Sequence, residues 1–524
     1  MAGREPGRVV RGLAYSPVTW IALVTCLHAL PLIHLAPVDP DAPRLTDIAR
    51  TVASGEGFGS YYLDFSSPTA PDRRLVWPPG YPLLLAGFLR LGLPAEAAVR
   101  LVLLLSVVAT AYGLYWLARR LGGPEAGLAA VFLWALWAPL TRNYQNGFTD
   151  APFLALVLLS LVCAARAGER APRRPGAWMA AAGLLMGLAT CVRYLGGPLL
   201  VALLVVAALR VLRAPAAARR APVCGLLTLA AAGLPPVIPW LVRNVLVVGS
   251  PLGSYSTTGH VHLFSNFLVL PSALMEGFGL LLGLTVVVVF LAGLSLSPAS
   301  APWRRPPDGS LDPDDTPWLL ALVVLAYMAA LVVFTGTFTL DRIGPRYMEP
   351  IAAVLFIAAA AIAARSASPT RRQTHLGLAL MALLMVAQGA HLVQFERYKG
   401  PALAQWAAQT RPITDWVSGH TERGDLIIDY SGARVRERTG RPVIEQVEPV
   451  SPPVTPAAVR AFFQRLGRRF PRAYLLEPLP ATGDLPAYVR GMTASYGAGG
   501  VHVEFLATLP ASPRSIAVWR LSPE

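Results

Sequence analysis

The chain has 524 residues, of which 54% are hydrophobic and only 14% charged. A soluble domain carries about 25% charged residues, so composition excludes an ordinary soluble enzyme and sends much of the chain where charge is not tolerated. The net charge of +15 would suggest nucleic acid in a soluble protein, but in a membrane protein it marks cytoplasmic loops, and no nucleic-acid partner is expected. Lys399 is the one lysine among 45 basic residues, so any phosphate clamp must be built from arginine, whose planar fork suits oxyanions. Cys26, Cys163, Cys191 and Cys224 lie in apolar runs without metal-ligand spacing and read as small core residues.

A membrane helix needs about 20 apolar residues to cross about 30 Å of hydrocarbon. In chain order, spans are expected near Val18–Leu35, Ala97–Ala118, Ala126–Leu140, Ala151–Ala165, Ala177–Val192, Pro198–Leu212, Val223–Val242, Ala273–Leu296, Trp318–Phe338, Tyr347–Ala364 and Leu376–Phe395. These make a polytopic α-helical protein of about eleven spans. The first has no small-x-small site after it and does not read as a cleaved signal. Pro79–Leu93 is apolar but too short for an easy crossing, and charge parity decides its role. If it stays at the interface and the N-terminus is inside, the inner loops collect Arg119 and Arg120, Arg166, Arg170, Arg173 and Arg174, Arg210, Arg213, Arg219 and Arg220, Arg304 and Arg305, and Arg365, Arg371 and Arg372. If it crossed, all of these would face outward, against the positive-inside rule.

From Glu396 onward charges become frequent and apolar runs shorten. Asp425–Tyr430, Arg472–Glu477, Val501–Thr508 and Ser515–Leu521 read as strands, and Pro456–Phe470 as an amphipathic helix. The expected organisation is therefore a membrane domain over 1–395, with a long first outer loop at 37–96, and a small extracytoplasmic α/β domain over 396–524.

That first outer loop holds Asp39, Asp41, Asp47 and Asp64, a short helix near Leu45–Ser54 ended by Gly55, Gly57 and Gly59, and then Trp77-Pro-Pro-Gly-Tyr-Pro82. Asn143–Pro152, with Asp150, sits outside after the third span. Further on come Leu188–Tyr194 (LATCVRY), Trp240–Asn244 (WLVRN) followed by Val248-Gly-Ser-Pro251, and Pro345-Arg-Tyr347 with Pro350. Taken together and in this order, these segments resemble the GT-C glycosyltransferases, specifically the bacterial branch similar to the dolichyl-phosphate-mannose protein mannosyltransferases and the aminoarabinose transferases. The resemblance runs over roughly Val18–Tyr430 and takes in Asp425-Leu426 and Thr439-Gly440-Arg441.

The resemblance implies transfer of a sugar from a polyprenyl-phosphate donor in the membrane lipid to an acceptor hydroxyl on a protein, lipid or glycan, with inversion, at the extracytoplasmic face of the plasma (inner) membrane. It places the catalytic carboxylate on Asp41, with Asp39 and Asp47 as rivals and Leu45 standing where the family has tyrosine. Asp150 matches the second acidic position. Arg193, Arg243 and Arg346, with Tyr347, are expected at the donor phosphate, and Glu276 is an accessory candidate at the start of a span. His260 and His262 form an HxH with no evident third ligand. No cofactor is fixed; relatives differ in binding a divalent cation, which stays open here. Each of these residues also has a bland reading, as a helix cap or a snorkelling anchor. The rival class is a transporter or flippase of a lipid-linked saccharide. It would require polar residues at mid-bilayer depth, whereas span interiors here hold mainly Ala, Leu, Val and Gly.

Overall fold

The computed structural model describes, in the main, residues 41–60, 62–63, 77–135, 149–169, 174–253, 316–337, 345–366, 411–429, 443–445, 472–479, 485–510 and 515–523, with a few isolated positions between. By internal contact the chain divides into two compact units. The first comprises Met1–Leu35, Val76–Tyr81 and Val99–Glu396; the second comprises Ala36–Leu75, Pro82–Ala98 and Arg397–Glu524.

The first unit is helical. Its described elements are α3 (Ala95–Gly122, entering from the second unit), α4 (Pro124–Ala135), α5 (Asp150–Ala167), α6 (Pro175–Val192), α7 (Gly196–Arg213), α8 (Arg220–Gly233), α9 (Ile238–Val248), α10 (Thr316–Thr337) and α11 (Glu349–Ser366, preceded by a 3-10 turn at Pro345–Met348). Among the described residues, five helical segments are long and apolar enough to cross a membrane, and six if α8 and α9 count as one. α4 and the Leu319–Thr335 part of α10 are shorter apolar helices. The expected spans at Val18–Leu35, Ala273–Leu296 and Leu376–Phe395 lie almost wholly outside the described residues. The expected single span at Val223–Val242 is instead a pair bent by 42°. Pro235 and Pro236 fall at the bend, where each lacks the N–H that would continue the helix. Large apolar side chains stand exposed along these helices, Leu246 at 80% among them; they suit hydrocarbon rather than water.

Small residues let two of these helices meet closely. A Cβ built on Gly183 would lie 2.2 Å from the Leu229 carbonyl oxygen, and one on Gly187 would lie 2.3 Å from that of Gly233. This Gly-x3-Gly face of α6 therefore seats the α8 backbone directly, as small-residue stripes do between membrane helices. The Ser160 hydroxyl of α5 donates to the Ala182 carbonyl from the neighbouring side, at 2.7 Å. Cys163 and Cys191 are buried as expected, but Cys224 on α8 is exposed.

The second unit joins the N-terminal loop to the C-terminal region. It contains α1 (Asp41–Ala53), β1 (Tyr62–Leu63), α2 (Gly80–Arg90, begun in the first unit), β2 (Leu426–Asp429), β3 (Val443–Glu445), β4 (Ala473–Pro478), α12 (Leu485–Gly497), β5 (Val501–Leu509) and β6 (Ile516–Pro523). A six-stranded sheet runs β1-β3-β2-β4-β6-β5. β1, β3, β2 and β4 are parallel, and β6 is antiparallel to both neighbours. Apolar side chains fill both faces of its centre: Ile428, Leu475 and Trp519 on one, Ile427, Tyr474 and Val518 on the other. The expected strands are β2, β4, β5 and β6; β1, β3 and α12 were not foreseen. The expected helix at Pro456–Phe470 lies outside the described residues.

Candidate functional site

The first unit gathers its candidate residues around the C-terminal end of α6. Asp150 is the first residue of α5 and only 5% exposed. Arg193 caps α6 in an extended conformation and forms an ion pair with Asp150 across 43 residues of sequence. The opposite face of the same guanidinium lies 5.2 Å from the centre of the Tyr347 ring. Arg346 stacks on that ring too, at 4.8 Å, and donates from Nη2 to the Tyr347 hydroxyl at 2.8 Å. The 3-10 turn Pro345–Met348 thus presents an aromatic ring carrying two guanidiniums. The first, Arg193, is engaged by a buried carboxylate, as a low-dielectric site demands of such a charge.

Residues next in sequence to Arg193 organise Arg243. The buried Tyr194 hydroxyl accepts hydrogen bonds from Trp240 Nε1 and Asn244 Nδ2, each at 3.0 Å. Asn244, fully buried, also donates to the Pro251 carbonyl at 3.1 Å and accepts from Arg243 Nη1 at 3.1 Å. Arg243 rests on the Trp240 ring at 4.5 Å. Burial pushes the Tyr194 phenol up, and the Trp240 and Asn244 donors and the Arg243 charge pull it part of the way back. The phenol therefore stays neutral across the physiological range and serves as a fixed hydrogen-bond hub.

Sequence reasoning missed Glu349. It is 1% exposed and opens α11, directly after Arg346 and Tyr347. Buried Tyr327 of α10 lies within electrostatic reach of Arg193, Tyr347 and Glu349. The signal was present: a carboxylate at the very start of an apolar run, inside the Pro-Arg-Tyr segment, rarely sits there without a partner. Among the described residues, Asp150 and Glu349 are the buried carboxylates beside Arg193 and Tyr347.

The other candidates lie elsewhere. Asp41 is the first residue of α1, in the second unit. Asp47, one and a half turns on, is fully buried and accepts a hydrogen bond from the Ser60 hydroxyl at 2.9 Å. Asp39, His260, His262 and Glu276 fall outside the described residues. Among the described residues no three His, Cys, Asp or Glu side chains gather as a metal ion would require. The Pro-Pro-Gly-Tyr-Pro segment is packed, with Pro78, Pro79, Tyr81 and Pro82 buried at the start of α2.

Comparison with known proteins bears on this arrangement. Residues 76–240 match the profile of the dolichyl-phosphate-mannose-protein mannosyltransferase family. The matched stretch includes Asp150, Arg193, Tyr194 and Trp240 and ends before Arg243; it does not reach Asp41 or Arg346. No curated protein sequence matches the chain. Among solved structures, the fold is similar to ArnT from Cupriavidus metallidurans bound to undecaprenyl phosphate, with a TM-score of 0.59, 13% identity, and coverage of 96% of this chain and 97% of that one. It is also similar to the archaeal oligosaccharyltransferase AglB from Archaeoglobus fulgidus in complex with an inhibitory peptide and a dolichol-phosphate, with a TM-score of 0.51, 13% identity, and coverage of 92% and 71%.

Proposed function

We propose that this chain, which has the GT-C glycosyltransferase fold and resembles the protein mannosyltransferases and the aminoarabinose transferases, is a membrane glycosyltransferase using a polyprenyl-phosphate sugar. The observation that carries the reading is the arginine set on the first unit. Arg346 and Arg243 are each fixed by a stacked ring and a hydrogen bond. Guanidiniums held in place in this way, and only partly exposed, suit the oxygens of an anionic lipid phosphate. The two neighbours whose structures hold a polyprenyl phosphate support the same donor class.

In this mechanism the donor phosphate lies against Arg243 and Arg346, with Arg193 holding the Tyr347 platform. Asp41 takes the proton of the acceptor hydroxyl as its oxygen attacks the anomeric carbon. The bond from that carbon to the phosphate oxygen breaks in the same step, so the centre inverts. The leaving phosphate is already anionic and needs no strong acid, only the guanidiniums aimed at its oxygens. Asp150 acts through Arg193. Residues 1–395 form the membrane domain, and the loop at 37–96 meets the acceptor on the extracytoplasmic face together with residues 396–524.

The test is transfer by the purified protein from a panel of polyprenyl-phospho-sugars. Asp41→Asn should reduce turnover by about a thousandfold or more, the loss of a general base together with its electrostatic role, while polyprenyl phosphate still binds. Full activity in that variant would sink the assignment; lipid translocation without transfer would favour a flippase.

A further inference from the structure

The N-terminal loop is folded back on itself and is also fastened to the C-terminal part of the chain. Helix α1, whose first residue is Asp41, closes in a Schellman turn: Glu56 N–H donates to the Thr51 carbonyl at 2.9 Å and Gly55 N–H to that of Val52 at 3.2 Å. Gly55 takes the φ of +85° that this turn requires. Residues 54–60 then double back along the helix. The Thr51 hydroxyl bonds to the Gly59 carbonyl, and Ser60 donates to buried Asp47. From the other side Arg90, at the end of α2, donates to the carbonyls of Val52 (2.9 Å) and Ala53 (3.3 Å). Two residues beyond Ser60 the chain enters β1. Tyr62 and Leu63 pair in parallel with Val443 and Ile444 as the edge strand of the six-stranded sheet.

We infer that the C-terminal sheet positions the catalytic loop, through β1, Ser60 and Asp47, and that Asp47 is a positioning residue rather than the base. The inference rests on the reading of Asp41 given above. A carboxylate with no exposed surface, fastened to a hydroxyl 13 residues away, cannot reach an acceptor, yet it fixes the rotation of the helix that carries Asp41. An aliphatic side chain there would break the hydrogen bond from Ser60 and loosen the doubled-back segment. Small displacements of a catalytic group are costly: about 1 Å can remove about a hundredfold in rate.

Full-length protein carrying Asp47→Ala, Asp47→Asn, Ser60→Ala, Asp47→Ala with Ser60→Ala, or Leu63→Pro tests this through kcat, donor KM, the pH profile and polyprenyl-phosphate binding. Asp47→Ala and Ser60→Ala should each lower kcat by about a hundredfold or less, with donor KM and lipid binding unchanged, and the double variant should be no worse than Asp47→Ala alone. Asp47→Asn, whose amide oxygen still accepts from Ser60, should recover to within about tenfold of the parent with the same pH profile. Leu63→Pro removes a backbone donor from β1 and should lower kcat without changing lipid binding. Loss of the acidic limb of the pH profile in Asp47→Asn would make Asp47 the base; parental kcat in Asp47→Ala, Ser60→Ala and Leu63→Pro would show that the sheet positions nothing. If the parent transfers no sugar at all, the functional reading fails by itself. In that case amide exchange decides: protection over 41–53 should fall in Leu63→Pro, and unchanged protection would overturn the inference.

Discussion

Asp150 and Arg193 illustrate how a buried pair can serve both stability and function. Each is largely hidden, so each depends on the other for neutralisation. Arg193→Met leaves the Asp150 carboxylate buried without its cation and should cost about 3–5 kcal/mol, seen as a lowered unfolding midpoint in detergent. Asp150→Asn should cost less, because Arg193 keeps the Tyr347 ring. The double variant Asp150→Asn with Arg193→Met should regain most of the midpoint and none of the transferase activity. An unchanged midpoint in Arg193→Met would refute the pairing, and restored activity in the double variant would refute a role for Asp150 beyond structure. Sequence alone offered both residues but not their contact: 43 positions apart on different helices, they share no periodicity that could announce it. The same limit kept Asp47 among the rivals to Asp41, since burial is a property of the folded neighbourhood.

At the scale of elements, what was legible followed length and pattern. Strands β2, β4, β5 and β6 each carry four or more residues of apolar or alternating character. β1 and β3, with two and three residues, are too short to show a period and form only because a neighbour offers an edge. Pro235 and Pro236 were visible, but an apolar run on both sides hid the break between α8 and α9. The contact of α6 with α8 gives a sharp test. With the Gly233 carbonyl oxygen 2.3 Å from a Cβ on Gly187, Gly187→Val must force the helices apart. It should lower stability by about 1–3 kcal/mol or block folding. Gly176→Ala in the same helix meets nothing within 4 Å and should be neutral or slightly stabilising. Equal unfolding midpoints for the two variants would refute the close approach.

For the whole molecule, the parity argument can now use an observed length. α2 has 11 residues, about 16 Å of helix against about 30 Å of hydrocarbon, and its C-terminal arginine, Arg90, is bonded to α1. A segment so short and so fastened is unsuited to crossing; given the expected inside N-terminus and first span, a non-crossing α2 would put the loops bearing Arg119–Arg120, Arg166–Arg174 and Arg210–Arg220 on the cytoplasmic side. Single cysteines introduced into a background lacking Cys26, Cys163, Cys191 and Cys224 test the arrangement in intact cells with a membrane-impermeant thiol reagent. Exposed positions in the C-terminal region, Asp415 and Thr493, should label without permeabilisation. Exposed positions beside the arginine-rich loops, Gly176 at the start of α6 and Ala217 between α7 and α8, should label only after it. The reverse pattern would follow either from a crossing by α2 or an equivalent segment, or from inversion of the whole chain. A crossing α2 would put the loop that carries β1 and the sheet that holds it on opposite sides of the membrane, which the pairing of Tyr62 with Val443 forbids. A reversed result could therefore stand only with the entire second unit inside, facing a cytoplasmic donor.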